Sequence, residues 1–418
     1  MKILSYISIF PVWLAAITMQ PAGTSIVDTT ESVKDSTAYF NYIIGTQQIG
    51  NTYSFGDDTK VVNAAREILK MGSSILKIAL TSNYANQNGV AQNANIRTIA
   101  ELVQQEPSIK KVLDMPFHDY LFWVYPFNSQ HSGLWGSEEV YSEEDKEAEY
   151  QEMYELTTYL LNHFKGTGKT FYLGNWEGDW HLYSDRNLLH PPSTARIKAM
   201  ADWLNVRQQA VDDAKKSNRA TGVQVYFYVE VNQGILALTG KTCVTNSVLP
   251  LLSKPPDFIS ISSYSIQSKS KDTVHLVLDY LNSKMNTRDD ISGSRIIIGE
   301  YGFAKTEGMT PVQQAEKYRQ AAMKYLSWGP RFILSWQLYD NSYLKFERSK
   351  EYSLIDNQNK FTPLYTMHHE FLQQARIYVT AFCKKYNRNP SRQEFILKAV
   401  EIMKMIKLDL PINKIIVN

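Results

Sequence analysis

The chain has 418 residues, of which 44% are hydrophobic, with 44 Lys and Arg against 42 Asp and Glu. That length can bury a sizeable core in one large domain or two medium ones, and the composition is neither disordered nor polytopic. A net charge of +2 removes electrostatics as a reason to expect a nucleic-acid partner. Aromatic residues make up 12%, and 26 of them are tyrosines; composition alone reads them as core filling. Cys243 and Cys383 are too few for a disulfide framework or a structural zinc site, and nothing in the sequence places them together. The eight histidines form no H-E-x-x-H pattern, and the adjacent His368 and His369 point to different sides of a helix. Neither a metal nor a cofactor is expected.

In chain order, Met1–Gly23 carries Lys2 and then an apolar stretch from Ile3 to Ile17, which reads as a secretory signal peptide. Ser5, Ser8 and Thr18 make the segment poor as a membrane span. The expected location is therefore secreted, periplasmic or cell-surface, with no stable membrane insertion after cleavage. Then come eight apolar runs that read as strands: Asn41–Thr46, Ile75–Thr81, Tyr120–Pro126, Thr170–Gly174, Val223–Val229, Asp257–Ser262, Arg295–Gly299 and Arg331–Ser335. Helical patterns fall between and after them, at Asp58–Met71, Thr98–Leu113, Glu143–Phe164, Ser193–Lys216, Thr273–Met285, Pro311–Trp328 and Pro363–Tyr386. The strands are apolar throughout rather than alternating, as parallel strands covered on both faces are. They begin 34 to 53 residues apart, the spacing of βα units with variable loops.

Eight such units predict an α/β fold, a (β/α)₈ TIM barrel over residues 24–387. A short helical appendage follows at 388–418, built on Arg392–Ile406. The alternative is a doubly wound open sheet, but Gly45-Thr46-Gln47-Gln48-Ile49-Gly50 lacks the G-x-G-x-x-G phosphate loop.

Active sites of such barrels collect at the C-terminal ends of the strands. The fourth candidate strand runs into Asn175-Trp176-Glu177-Gly178-Asp179-Trp180, and the seventh into Gly299-Glu300-Tyr301-Gly302-Phe303. Each places a glutamate directly after an apolar strand, beside glycines that let a ligand approach the backbone. A carboxylate there is partly desolvated, which costs energy unless it is paired or functional. Either Glu alone is equally well read as a loop cap or an ion-pair partner. Two across one barrel mouth are the minimum equipment for glycoside hydrolysis.

With these residues in view, the chain resembles glycoside hydrolase clan A, most of all family 5 and its relatives, over residues 40–386. Ile298-Gly299-Glu300-Tyr301-Gly302-Phe303 is similar to the clan's nucleophile strand, and Phe332–Asn341 to its eighth strand, where a Trp floors the sugar subsite. Ser353–Pro363 is similar to the loop before the last helix. The resemblance implies Glu177 as acid/base, Glu300 as nucleophile, Tyr264 as hydrogen-bond donor to the nucleophile, and Trp336 as stacking platform. Asn175, Trp176 and Tyr339 complete the expected substrate contacts. Tyr264 is expected to lower the pKa of Glu300, and Trp176 and Trp180 to raise that of Glu177 by desolvation. The expected activity is retaining cleavage of β-glycosidic bonds in a poly- or oligosaccharide, and a carbohydrate is the expected partner.

Three departures stand out. Trp176 separates Asn175 from Glu177 where the clan has the two adjacent; Lys77 replaces an Arg and lacks its planar fork; and Ser262 stands where a histidine is usual, while His118 lies only loosely near the place of the other. The competing readings are a catalytically silent carbohydrate-binding barrel and a structural scaffold. Charge runs such as Glu138–Glu149 read as solvated surface. Sugar identity and oligomeric state are not legible in the sequence.

Overall fold

Eight parallel strands close on themselves in the computed structural model of the protein, which describes residues 37, 39–127, 141–183, 185–341 and 351–409. They are β1 (Ile44–Gln47), β2 (Ile75–Leu80), β3 (Asp119–Val124), β4 (Thr170–Gly174), β5 (Gln224–Val231), β6 (Phe258–Ser262), β7 (Ile296–Tyr301) and β8 (Ile333–Ser335). Each pairs with the next, and β1 closes the ring on β8 through Ile44 opposite Ile333 and Thr46 opposite Ser335. The expected (β/α)₈ barrel is the observed one. Two strands run further than their apolar runs suggested: β5 reaches Val231 and takes in Glu230, and β7 reaches Tyr301 and takes in Glu300.

Alternation along the strands splits the core in two. Ile75, Leu121, Tyr172, Tyr226, Phe258, Ile297, Phe332 and Leu334 fill the inside of the barrel. Their neighbours Leu76, Phe122, Leu173, Phe227, Ile259 and Ile298 face outward onto the helices. The inner plug is aromatic: Tyr172 meets Phe258 and Phe332 edge-on at 5.1 and 5.3 Å. Much of the chain's aromatic content is thus core, as composition alone suggested.

The helices fall where the 3.6-residue pattern put them, with one break. Residues 98–113 form two helices, Ile99–Gln105 and Pro107–Asp114. Pro107 has no N–H to continue the first, and the Glu106 side chain caps the second by accepting from the Ile109 N–H at 2.7 Å. The appendage helix, Arg392–Met405, starts at a capping box of Ser391 and Glu394. It lies against Pro311–Trp328 and Pro363–Tyr386. Phe395, 1% exposed, packs edge-on to Phe40 at 4.8 Å, and Arg392 bonds the carbonyls of Gly329 and Pro330. Phe40 and Gly329 precede β1 and β8, so the appendage covers the N-terminal end of the barrel, away from the mouth.

Residues 1–23, expected to be a signal peptide, and residues 410–418 of the expected appendage lie outside the described residues. Among the described residues, no helix is long and apolar enough to cross a membrane, and no group of His, Cys, Asp and Glu could hold a metal ion. Among the described residues, Cys243 and Cys383 are both buried and neither is in a disulfide.

Candidate active site

Glu300 reaches the barrel interior through an irregularity. Ile297 faces inward, so strict alternation would turn Gly299 inward and Glu300 out toward the helices. Between β6 and β7, however, Ile261 pairs with Ile298 and the next residue, Ser262, with Glu300. Gly299 is skipped as a bulge, which swings Glu300 inward beside Ser262 and sends Tyr301 to the outer layer. The position demands glycine: a Cβ there would lie 2.0 Å from Ser260 Oγ and 2.4 Å from Glu230 Oε2. What approaches this backbone is the protein's own carboxylate, not a ligand as the sequence suggested.

The Glu300 carboxyl is 3% exposed. Its Oε2 accepts from the Tyr264 hydroxyl at 2.9 Å, and Ser263 Oγ donates to its carbonyl at 3.0 Å. Its Oε1 has no hydrogen-bond partner among the described residues; Lys77 Nζ stands 4.0 Å from it. Burial raises the Glu300 pKa well above the usual carboxylate range, and the charges of Glu177 and Glu230 add to that, against the pull of Lys77 and Tyr264. The Tyr264 effect expected from the sequence is present but outweighed, because burial penalises the anion more than one phenol relieves it.

Glu177 follows β4 in a loop stapled from three sides. Asn175, fully buried, donates its amide to the Glu230 carbonyl at 3.1 Å and accepts from the Glu230 N–H at 3.2 Å. The Trp176 N–H donates to the Tyr125 hydroxyl at 2.9 Å, which also pairs with His181 Nε2 at 2.9 Å. Asp179 accepts the backbone N–H groups of Asn232, Gln233 and Val244. The Glu177 pKa is pushed up to about 8, first by burial and then by the charge of Glu230; a Ser262 hydrogen bond and Lys77 act the other way.

Between these two acids lies a pair that sequence reasoning did not assemble. Lys77 on β2 and Glu230 on β5 are both fully buried and meet at 2.9 Å (Nζ to Oε2). Lys77 also donates to the Gly299 carbonyl at 3.1 Å and lies 4.5 Å from the centre of the Trp123 ring. Ser260 and Ser262 donate to Glu230 at 2.8 and 3.2 Å, and the Glu177 N–H donates to Glu230 Oε1 at 3.3 Å. The signal was legible: one Glu in Val-Tyr-Phe-Tyr-Val-Glu-Val and one Lys in Ile-Leu-Lys-Ile-Ala-Leu each needed a buried partner.

The aromatic residues at the mouth are partly those expected. Trp336, half-buried after β8, stacks on Trp123 at 6.0 Å and 28°, and Trp123 meets Trp176 edge-on at 6.3 Å. Trp123 was not singled out because it sat inside a strand. The Trp336–Gln337 peptide bond is cis. Tyr264 is 36% exposed. Two of the expected contacts, Tyr339 and Asn175, lie elsewhere, as does Tyr301. Tyr339 is fully buried beside Tyr53 and Phe55, Tyr301 packs between Tyr318 and Tyr325, and Asn175 spends its amide on β5. Trp180 packs with the helix-side core rather than the barrel interior. His118 pairs with Asp119 at the start of β3, the opposite end of the barrel.

No family model matches the sequence, and no curated protein is significantly similar to it. Solved structures do share its architecture. An exo-β-1,4-mannosidase from Opitutaceae bacterium strain TAV5 superposes with a TM-score of 0.52 at 13% identity, over 82% of this chain and 62% of that one. This chain therefore spans less than two thirds of the mannosidase. An endo-1,4-β-xylanase from Penicillium canescens gives a TM-score of 0.48 at 14% identity, covering 83% and 98% of the two chains. A glycoside hydrolase 5 lichenase from Caldicellulosiruptor sp. F32 gives 0.47 at 15%, covering 87% and 98%. At these identities the likeness concerns the fold: the chain has the (β/α)₈ barrel found in glycosidases.

Proposed function

We propose that the protein is a retaining glycosidase acting on β-linked poly- or oligosaccharides, with Glu300 as nucleophile and Glu177 as acid/base. The observation that carries this reading is the unequal surroundings of two buried carboxyls at the ends of β4 and β7. Glu300 has a phenol on one oxygen and an ammonium 4.0 Å from the other; Glu177 is pushed up to about 8. We assign the carboxylate to Glu300, because Lys77 and the Tyr264 hydroxyl favour its ionised form against the burial that raises its pKa, and the proton to Glu177. That division suits one carboxylate and one acid at neutral pH.

In the reaction, Glu300 attacks the anomeric carbon through an oxygen, the glycosidic C–O bond breaks, and the leaving oxygen takes the Glu177 proton. Water then attacks the same carbon, Glu177 takes the water's proton, and Glu300 leaves as carboxylate. Trp336, backed by Trp123, offers an apolar face to a pyranose ring.

The test is a panel of β-linked gluco-, manno- and xylo-oligosaccharides incubated with the purified full chain, with product anomers followed by NMR. Cleavage with retained configuration, abolished in Glu300→Ala, supports the reading. Binding without cleavage across the panel would establish the catalytically silent carbohydrate-binding barrel instead.

A further inference from the structure

We propose that Glu230 is a positioning residue that tunes the nucleophile: it anchors Lys77 and thereby sets how much positive charge reaches Glu300, while its other oxygen ties down the backbone of Glu177. As a role in catalysis this rests on the glycosidase reading above; as a statement about charge in the barrel it stands without it.

The argument begins with a cost. Burying a lysine and a glutamate together is weak evidence for stability, because an apolar pair of similar volume often does as well. Here the pair is elaborated further. Glu230 Oε2 takes Lys77 and Ser260, at 2.9 and 2.8 Å, and Oε1 takes Ser262 and the Glu177 N–H, at 3.2 and 3.3 Å. Each carboxylate oxygen thus has two donors, and the second oxygen faces the acid. Residue 299 must be glycine for this carboxylate to fit, so the bulge that brings Glu300 inward and the seat of Glu230 are one construction. Lys77 is shared: 2.9 Å from Glu230, bonded to the carbonyl preceding Glu300, and 4.0 Å from Glu300 Oε1.

Among the described residues, the charged and titratable groups around Glu300 are Lys77 from β2, Glu177 after β4, Tyr228 and Glu230 from β5, Tyr264 after β6 and Tyr352 after β8. Lys77 is the cation of this set. Removing the Glu230 charge leaves Glu300 as the carboxylate nearest the ammonium and lifts a repulsion as well; both changes favour ionised Glu300. Removing Lys77 does the reverse.

The experiment uses 2,4-dinitrophenyl β-glucoside, β-mannoside, β-xyloside and β-cellobioside, whose leaving group needs no acid catalysis, so the acidic limb of kcat/KM reports ionisation of the nucleophile. Glu230→Gln is expected to move that limb down by about one pH unit and Lys77→Met to move it up by at least about as much. Glu230→Asp, which keeps the charge but withdraws it by one methylene, should move it down by less, and carries the test if the Gln variant fails to fold. A pair that only props the barrel would lower thermal stability and kcat while leaving the limb of these variants in place, and that result overturns the proposal. If the wild-type chain cleaves none of the four, the glycosidase reading loses its support and the proposal is decided by NMR. The carboxyl carbon of Glu300, assigned with Glu300→Gln in ¹³C-glutamate-labelled protein, should titrate lower in Glu230→Gln and higher in Lys77→Met; unchanged titration in both overturns it.

Discussion

The Tyr264 hydroxyl donates to Glu300 Oε2 at 2.9 Å, from the turn that follows the neighbouring strand. A hydrogen bond to a charged group contributes about 1.5–3 kcal/mol when the group is ionised. Tyr264→Phe is therefore expected to lower kcat/KM roughly 10- to 100-fold, by the same free energy. It should also shift the acidic limb upward, since the anion loses a donor. A pH profile displaced downward or unmoved would show that Tyr264 is not the donor that matters.

Glu177 gives a prediction on stability with a definite sign. Its pKa rises from 4.5 in the free chain to about 8 in the fold. Between those values the unfolded state has released a proton that the folded state still holds, so stability falls as pH rises across that window and is flat below it. Glu177→Gln removes this penalty. Urea unfolding should find the variant more stable than wild type at pH 7.5, with the difference shrinking toward pH 4.5. A wild-type advantage at pH 7.5 would mean that Glu177 is ionised in the fold.

The bulge at Gly299 is testable by adding one methyl group. Gly299→Ala places a Cβ 2.0 Å from Ser260 Oγ and 2.4 Å from Glu230 Oε2, and overpacking of this kind costs about 1–3 kcal/mol. Adding Ser260→Ala should recover part of the loss and not all of it, because the Glu230 contact remains. Full additivity in a double-mutant cycle would contradict the contact.

Trp336 is the platform residue of the proposed site. In a Glu177→Gln background, where turnover is suppressed, Trp336→Ala is expected to weaken oligosaccharide binding about tenfold by calorimetry, the worth of one aromatic contact. Tyr339→Phe, at a fully buried ring, should leave binding unchanged. The opposite ranking would place the subsite elsewhere in the barrel.

The appendage is expected to act on stability alone. Phe395 is 1% exposed between Phe40 and Tyr42, and truncating a buried Phe costs about 3–5 kcal/mol. Phe395→Ala should lower the unfolding midpoint, while the folded variant keeps wild-type affinity for oligosaccharides, since this helix sits at the far end of the barrel.

Much of this architecture could be read from residues in order. Strands such as Ile75–Leu80 and Thr170–Gly174 are covered on both faces, so they had to be apolar throughout, and the helices had to show one apolar stripe. The two glutamates were conspicuous because each interrupts an apolar run at a strand's end. What failed was the inference from position along the chain to direction in space. Tyr301 ends β7 and Tyr339 follows β8, where a mouth residue should lie, but both side chains turn outward and are buried. Asn175 has the right chemistry to meet a sugar, yet it sits one residue too early and serves β5 instead.

By itself the sequence determined the repeating βα unit, the closed barrel and the two acids at one end of it, because hydrophobic periodicity and strand length are local properties. Only the tertiary structure decided which way Glu300 faces, since that depends on a register shift between β6 and β7 that no single strand encodes. It likewise decided that Lys77 and Glu230, 153 residues apart, form one ion pair beside Glu300. Periodicity records how each residue meets its chain neighbours; a bulge and a pair across the barrel exist only once distant strands are packed together.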